Sequence, residues 1–431
     1  MKVVILAGGK GSRLDDYTET IPKPLIKIEG KPVLEYQVDS LKRYGLTNIL
    51  ISIGYLGERI VEYFGNGSKF GVNISYLKED APLGTGGILY YLLDFIDDDF
   101  ILLFGDIVLH IDWSRFIQFH NQKKGIGTFL IHPNNHPFDS DLLIVDQEGR
   151  INNIIPKDTP REFYDNIVKS GVHIFRKEVL QYARPEKMDL EQDIIIKILQ
   201  ANYSLYGYHT SEYVKDMGTK KRLAQVTADV KNNFLEKKAA YNPRKCIFLD
   251  RDGTINKYRG LLWNVADLEL EEQAAEAIKL INQSEYLCIV ITNQPVVARN
   301  LCTEEELKNI HRKLQTLLGL NGAYLDDLCY CPHHPDGGYS GENKSYKIKC
   351  ACRKPGIGMI RSVQQKYNID LHESYMIGDT TTDVKTGINA GLKTVLLKAG
   401  EFENEKKFNV QADFVADNLY QAVAKIILKE A

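Results

Sequence analysis

The sequence predicts an α/β protein with two domains. Three observations point there: a length of 431 residues, an alternation of short apolar runs with helical patterns, and a polar break in that alternation. At about 100–200 residues per domain, the length calls for two or three cores. The apolar runs are rich in Val, Ile and Leu and bounded by Gly or Asp, the pattern of a mostly parallel sheet with helices on both faces. The break falls in the Lys- and Ala-rich stretch 235–244, which ends in a proline just before a new apolar run starts at Cys246. The expected division is therefore 1–234, a linker at 235–244, and 245–431.

The elements follow in order. Residues 3–7, 48–53, 74–77 and 100–104 read as strands, with helical patterns at 32–44, 60–64 and 86–93 between them. After the break, 246–249, 288–292, 374–377 and 394–397 read as strands and 274–282, 304–317 and 359–367 as helices. No repeat or low-complexity tract interrupts either half.

Composition narrows the function classes. With 44% hydrophobic and 26% charged residues the chain has ample material for packed cores. A formal net charge of -3 and a pI near 6.4 provide no basic field for nucleic acid or an anionic membrane, so phosphate recognition has to come from local sites. No apolar run approaches the ~18 residues of a membrane span, and the apolar start is too short for a signal-peptide core. Neither nucleic-acid nor membrane partners are expected, and the expected compartment is the cytoplasm. The seven cysteines are odd in number and all lie in the second half, which suits reduced thiols and a metal site better than disulfides.

Leu6-Ala7-Gly8-Gly9-Lys10-Gly11-Ser12-Arg13-Leu14 follows the first strand, so its glycines sit where backbone amides can approach an anion closely. It matches neither the phosphate loop G-x-x-x-x-G-K-[ST] nor the dinucleotide pattern G-x-G-x-x-G. With Ile21-Pro22-Lys23-Pro24-Leu25 and Gly30-Lys31-Pro32-Val33-Leu34-Glu35-Tyr36 it resembles the signature of the sugar-1-phosphate nucleotidyltransferases. The resemblance covers roughly the first 230 residues and implies nucleotide binding by Leu6, Ala7, Gly8, Gly9, Gly11, Glu79, Gly84 and Thr85. It further implies that Arg13 and Lys23 neutralise the triphosphate and that Asp106 and Asp216 hold Mg²⁺. Lys169 and Glu191 correspond to sugar contacts. Lys157 stands in Pro156-Lys157-Asp158 where the family has Glu-Lys-Pro, and is carried over as a phosphate contact. In such a reaction a sugar 1-phosphate oxygen attacks the α-phosphorus and expels pyrophosphate, so positioning and charge neutralisation are the main tasks.

In the second half, Leu249-Asp250-Arg251-Asp252-Gly253-Thr254 puts two carboxylates just beyond a strand. Thr292-Asn293, Arg353-Lys354-Pro355 and Gly378-Asp379-Thr380-Thr381-Thr382-Asp383 follow in order, and the four together resemble the motifs of the haloacid dehalogenase superfamily. The resemblance implies Asp250 as nucleophile, Asp252 as acid and base, and Thr292, Asn293 and Lys354 as phosphate contacts. Mg²⁺ would be bound by Asp250, Asp379 and the Asp252 carbonyl, with Asp383 orienting its neighbours. Cys331-Pro332-His333 and Cys350-Ala351-Cys352 offer three thiolates and an imidazole, a closed tetrahedral Zn²⁺ set suited to structure rather than catalysis. This insertion resembles the zinc loop of the heptose-1,7-bisphosphate 7-phosphatases and the related histidinol phosphatases. Zinc on Cys352 would position Arg353 and Lys354, His334 would be a bystander, and Cys329 would pack. Arg299 is expected to grip a sugar phosphate, although Pro295-Val296-Val297 stand where the family has Ser-Gly-Ile.

Together the resemblances imply two Rossmann-like domains, an N-terminal nucleotidyltransferase with a mixed sheet and a C-terminal haloacid-dehalogenase-like domain with a zinc loop. The first half looks most like the D-glycero-α-D-manno-heptose 1-phosphate guanylyltransferases, which implies GTP as co-substrate. The expected function is a bifunctional enzyme that removes the 7-phosphate of heptose 1,7-bisphosphate and converts the heptose 1-phosphate to GDP-heptose. The alternative is a hexose-1-phosphate nucleotidyltransferase fused to a histidinol-phosphate-like phosphatase.

Overall fold

Strand β1 (Lys2–Leu6) has Val3, Val4 and Ile5 wholly buried, as expected of a central strand covered on both faces. The computed structural model describes residues 1–14, 18–338, 340–402 and 404–429 of the chain. These form two compact units: residues 1–132, 143–155 and 169–239 in the first, and residues 133–142, 156–168 and the remainder from 240 in the second.

In the first unit, β1 is followed by the small pair β2 (Lys27–Ile28) and β3 (Lys31–Pro32), then helix α1 (Val33–Arg43). Val33, Leu34, Val38 and Leu41 form the buried stripe of α1, and Gly45, at φ +73°, takes the left-handed turn beyond its end. Next come β4 (Asn48–Ile53), α2 (Gly57–Phe64), β5 (Asn73–Lys78), α3 (Gly84–Tyr91), β6 (Phe100–Phe104), β7 (Ile107–His110) and α4 (Trp113–Gln122). The unit is completed by β8 (Gly127–His132), β9 (Leu142–Val145), β10 (Arg150–Ile155), β11 (Val168–Phe175), β12 (Leu205–His209), β13 (Tyr213–Asp216) and α5 (Lys220–Lys231). The main sheet runs β5-β4-β1-β6-β11-β8-β12-β10-β9. Its first four strands are parallel, but β11 runs antiparallel to β6 and β10 antiparallel to β12. The mostly parallel pattern read from the alternation thus holds for that first stretch and for the β8–β12 pair, but not for β11 and β10, which reach their antiparallel partners by long excursions that apolar periodicity does not encode.

The second unit has the simpler sheet. Its elements are β14 (Cys246–Leu249), α6 (Ala274–Asn282), β15 (Leu287–Asn293), α7 (Glu304–Leu320), β16 (Asp327–Cys331), α8 (Gly358–Tyr367), β17 (Tyr375–Gly378), α9 (Thr381–Ala390), β18 (Lys393–Leu397) and β19 (Phe414–Ala416). The order is β16-β15-β14-β17-β18-β19, with each adjacent pair parallel. This is the doubly wound order 3-2-1-4-5-6. The two faces are buried separately, one with Ile278, Leu314 and Val423, the other with Met359, Ile360 and Val363. Thr303 and Glu306 close a capping box at the start of α7, as a Thr-x-x-Glu spacing should.

Two earlier excursions of the chain belong to this unit and pack along α7. The Tyr164 N–H donates to Thr316 Oγ1 at 3.1 Å, Asn166 N–H to Gln315 Oε1 at 3.0 Å, and Arg312 Nε to Asp165 Oδ2 at 3.1 Å. A Cβ on Gly319 would stand 2.4 Å from Pro137 Cγ, so the helix carries glycine where the excursion crosses it.

Leu314 on α7 is wholly buried, whereas Leu320 at its end is 61% exposed. Leu314→Ala should cost about 2–5 kcal/mol of unfolding free energy in the second unit, and Leu320→Ala less than about 0.5 kcal/mol. A urea titration followed by circular dichroism measures the difference; equal midpoints for the two variants would contradict this packing.

Two candidate active sites

The first site opens at the carboxyl ends of β1 and β6, adjacent strands from which the chain departs in different directions. The loop Leu6–Leu14 leaves β1 and lines one wall of a cavity of about 380 Å³, while Phe104, Gly105 and Asp106 leave β6 and line another. Leu6, Ala7, Gly8, Gly9, Gly11, Arg13, Lys23, Glu79, Gly84, Thr85 and Asp106 all border this cavity. The glycines have local reasons to be there. A Cβ on Gly8 would lie 2.4 Å from Glu79 Oε1, and Gly11 has φ +67°. At the start of α3, a Cβ on Gly84 would meet Met188 O at 2.4 Å and one on Gly87 would meet Glu186 O at 2.0 Å. Thr85 joins the same contact, accepting the Leu190 N–H at 2.9 Å.

Two ion pairs stand at and beside this cavity. Lys23 Nζ forms an ion pair with Asp106 Oδ2. Asp216 accepts from Arg222 Nη1 at 3.0 Å on both oxygens and from the Gly218 N–H at 2.8 Å. Burial pushes the Asp216 carboxyl up, but Arg222, the Gly218 N–H and Lys23 outweigh it and hold the group below its ordinary value. β7 and β13 bring the two aspartates together, since the Met217 N–H donates to Asp106 O at 3.1 Å. The Arg13 guanidinium lies beside Gly218, where Nη2 would be 3.4 Å from an added Cβ. Burial raises Glu79, which accepts the Leu83 N–H at 3.3 Å.

Four residues expected at this site, Asp216, Lys169, Glu191 and Lys157, are not in the cavity lining. Lys169 and Glu191 pair with each other at 2.9 Å, both largely buried. Lys157 is exposed on one of the excursions that belong to the second unit, its N–H donating to Asp141 Oδ1 at 2.8 Å.

The second site lies at the carboxyl ends of β14, β15 and β17, again at the switch between diverging strands. A cavity of about 200 Å³ is bordered by Asp250, Asp252, Thr292, Asn293, Arg353, Lys354, Asp379 and Asp383. Lys354 Nζ sits between Asp250 Oδ1 at 2.9 Å and Asp383 Oδ1 at 2.6 Å, with its side chain 2% exposed. Oxygens of Asp250, Asp379 and Asp383 lie within 4.8 Å of one another. Burial, opposed by Lys354 and reinforced by Asp383 and Asp252, pushes Asp250 up to about 6. Burial with Asp383 and Asp250 pushes Asp379 up to about 8.

Three buried carboxylates with a single ammonium are short of positive charge. Asp379 Oδ2 accepts the Glu401 N–H at 2.7 Å, whereas its buried Oδ1 has no hydrogen-bond partner among the described residues. A hard divalent cation fits that oxygen-rich, charge-deficient donor set. Asp383 has its own duties: besides Lys354, it closes the capping box of α9 with Thr380. Asn293 is engaged in pinning the Lys354 backbone, accepting its N–H at 2.9 Å and donating to its carbonyl at 3.2 Å. Arg299 does not border the cavity but lies near Arg353, whose guanidinium is lowered mainly by burial.

Beside this cavity Cys331, His333, Cys350 and Cys352 bring one ligand atom each within 4.8 Å of the others. The Cys352 sulfur lies 3.1 Å from that of Cys350 and 3.3 Å from that of Cys331, with His333 Nδ1 at 3.5 Å. Zinc with Zn–S of about 2.3 Å needs S–S edges of about 3.8 Å, so this cluster is close to the required tetrahedron. His333 presents Nδ1 rather than Nε2, a choice that spacing alone does not reveal. Arg353 Nη1 donates to His333 O at 3.0 Å, tying the loop to the cavity wall.

The sequence reading missed Arg251, Gln294, Tyr258, Glu401 and Glu405. Gln294 follows Asn293 in the quoted motif, and Arg251 stands between two singled-out aspartates. Glu401 and Glu405 come from a chain segment with no pattern of its own.

The family model described as "Nucleotidyl transferase" matches residues 2–233, and a HAD-hydrolase-like model matches residues 351–422. The UTP–glucose-1-phosphate uridylyltransferase of Synechocystis sp. is 30% identical over 233 residues, covering 51% of this chain and 60% of that protein. The D-glycero-beta-D-manno-heptose-1,7-bisphosphate 7-phosphatase of Haemophilus ducreyi is 37% identical over 185 residues, covering 42% of this chain and 97% of that protein. A solved structure of HddC from Yersinia pseudotuberculosis complexed with GMP-PN aligns at 25% identity and a TM-score of 0.47, covering 53% of this chain and 99% of HddC. The chain therefore belongs to the nucleotidyl transferase family through its first half and, through its second, to the HAD-like family of the heptose-bisphosphate 7-phosphatases.

Proposed function

We propose that the protein is a bifunctional enzyme of activated-heptose synthesis. Its second unit removes the 7-phosphate of D-glycero-D-manno-heptose 1,7-bisphosphate. Its first unit transfers GMP from GTP to the resulting heptose 1-phosphate and releases pyrophosphate. The observation that carries this reading is the presence in one chain of two complete phosphate sites, with a second half that spans 97% of a heptose-bisphosphate phosphatase. Among the described residues no helix is long and apolar enough to cross a membrane. The proposed setting is the cytoplasm, where nucleoside triphosphates and reduced thiols are at hand.

In the first site, the amides of Gly8, Gly9 and Gly11 and the cations Arg13 and Lys23 receive the triphosphate, while Glu79, Gly84 and Thr85 border the base and ribose. Asp106 and Asp216 would hold Mg²⁺, which when bound screens the attacking phosphate from the α-phosphate. Lys23, which pairs with Asp106 and borders the cavity, is placed to offset the charge of the departing pyrophosphate. Lys169 and Glu191 are proposed for the sugar. In the second site Asp250 attacks phosphorus, Asp252 manages the proton, and Thr292 and Lys354 hold the phosphoryl oxygens. Asp250, Asp379 and the Asp252 carbonyl would hold Mg²⁺, which when bound offsets repulsion between nucleophile and phosphate. The four-ligand cluster would hold Zn²⁺, closed to substrate and shaping the loop that carries Arg353 and Lys354.

Nucleotidyl transfer leaves the bond from carbon 1 to oxygen intact, so the product keeps the anomer that enters. The matching phosphatase is named for the β anomer. Its cut falls at carbon 7, so the first site decides which anomer is activated. Assays of both anomers of the bisphosphate with each of four nucleoside triphosphates, followed by phosphorus NMR, test the assignment. GDP-heptose should form from GTP at least about tenfold faster than from the others, and exclusive use of a hexose 1-phosphate or of histidinol phosphate would overturn it.

Asp106→Asn should lower nucleotidyl transfer at least about 100-fold and leave phosphate release near wild type, whereas Asp250→Asn should do the reverse and trap no acyl-phosphate. Parallel loss of both activities in either variant would contradict two separate centres. Cys350→Ser should reduce zinc below one equivalent per chain by elemental analysis and make residues 331–352 more sensitive to protease. A purified protein that lacks zinc and keeps full phosphatase activity would refute the structural metal.

A further inference from the structure

Arg251 stands between the two aspartates of the second site and is wholly buried. Its guanidinium folds back onto its neighbour: Nε and Nη2 donate to Asp252 Oδ1 at 3.2 and 2.9 Å, and Nη2 to Oδ2 at 2.8 Å. The same Nη2 donates to Gln294 Oε1 at 3.0 Å, while Gln294 Nε2 donates to Asp252 Oδ2 at 2.8 Å. Asn256 Nδ2 adds a contact to Oδ1 at 2.9 Å. Gln294 is itself 2% exposed and anchored at its backbone, its N–H donating to Cys331 O at 2.8 Å. Arg251 meets Asp250 through its backbone N–H at 2.7 Å, a bond that most substitutions would retain.

A side chain that first gives a proton and later takes one has to keep its place through both charge states. Arginine is suited to fix its orientation, because a guanidinium presents a planar fork of donors to both carboxylate oxygens. We propose that Arg251, assisted by Gln294, is the positioning residue for Asp252, governing the two proton transfers and leaving the attack of Asp250 on phosphorus untouched. The inference rests on the phosphatase reading above. In the first step an Asp250 oxygen bonds to phosphorus, the bond from phosphorus to the leaving oxygen breaks, and the Asp252 proton goes to that oxygen. In the second step the oxygen of water bonds to phosphorus, the bond to Asp250 breaks, and a water proton goes to Asp252, restoring it for the next turnover.

A leaving group that departs as a stable phenolate needs no proton, so two substrates separate attack from proton transfer. The test uses the full chain with Mg²⁺ and compares heptose 1,7-bisphosphate with 4-nitrophenyl phosphate by rapid mixing, for wild type, Arg251→Met, Arg251→Lys and Gln294→Leu. In Arg251→Met, kcat for the heptose substrate should fall about 100-fold with KM within about twofold, the size expected for loss of acid–base catalysis. The nitrophenolate burst should keep its wild-type rate, and only the later steady-state rate should fall. Arg251→Lys should recover at least about tenfold. If circular dichroism finds Arg251→Met unfolded, Gln294→Leu carries the same test with an expected loss of about tenfold. A burst that slows by the same factor as the steady state, or a heptose rate within about threefold of wild type, would overturn the proposal. Should wild type show no burst, and Asp250→Asn release nitrophenolate undiminished, the phosphatase reading itself would fail, whatever Arg251 does.

Discussion

Both sites depend on one constraint of parallel sheets: where the chain leaves two adjacent strands toward opposite faces, the carboxyl ends of those strands cannot be covered by their own connections. In the first unit this happens between β1 and β6, in the second between β14 and β17. Each crevice collects loops from several strands and leaves backbone amides and carboxylates facing the same space. The glycines of the first site and the aspartates of the second occupy equivalent places in that architecture, although the two sheets share no further detail of order beyond their first four strands.

The two crevices manage charge differently. In the first, Asp106 pairs with Lys23 and Asp216 with Arg222, so each of these two aspartates is matched by a cation of its own. In the second, Asp250 and Asp383 share Lys354, and Asp379 keeps an oxygen with no hydrogen-bond partner among the described residues. Buried carboxylates without enough cations hold their protons more tightly, and the upward displacement of Asp250 and Asp379 expresses that deficit.

The Cys/His loop gains its importance from the register of β15 and β16. Asn293 lies opposite Cys331 in the parallel ladder, so the strand that ends in Thr292 and Asn293 is tied to the strand that ends in a thiol of the Cys/His cluster. Asn293 then grips the Lys354 backbone, and Lys354 follows Cys352 by two residues. Order in the loop is thereby transmitted to the ammonium that Asp250 and Asp383 share. Gln294 takes the same order to Asp252 through its side chain.

Much of this was legible without coordinates. The α/β class, the strand and helix positions around both sites, the Gly-rich cradle, the Asp-x-Asp pair and the four ligands of the Cys/His cluster all follow from local pattern, because apolar periodicity and strand-end glycines and acids are dictated by neighbours a few residues away. Other features waited for the tertiary structure. Antiparallel β11 was hidden from periodicity, since strand direction depends on how the chain returns rather than on which residues are apolar. Lys157 was read as a phosphate contact from its motif, yet its segment belongs with the second unit. Asn293 borders the cavity as expected, and its amide also holds the Lys354 backbone, 61 residues onward, a contact no local pattern shows. The role of Arg251 is not visible in the sequence because an extended chain turns successive side chains apart, whereas the bend after β14 lets the guanidinium fold back onto Asp252. The sequence by itself determined which chemical groups the protein carries and at which strand ends they emerge. Which of them face one another, and which are engaged in holding others, was decided by long-range register and burial, because a partner for a buried charge is chosen by proximity in space.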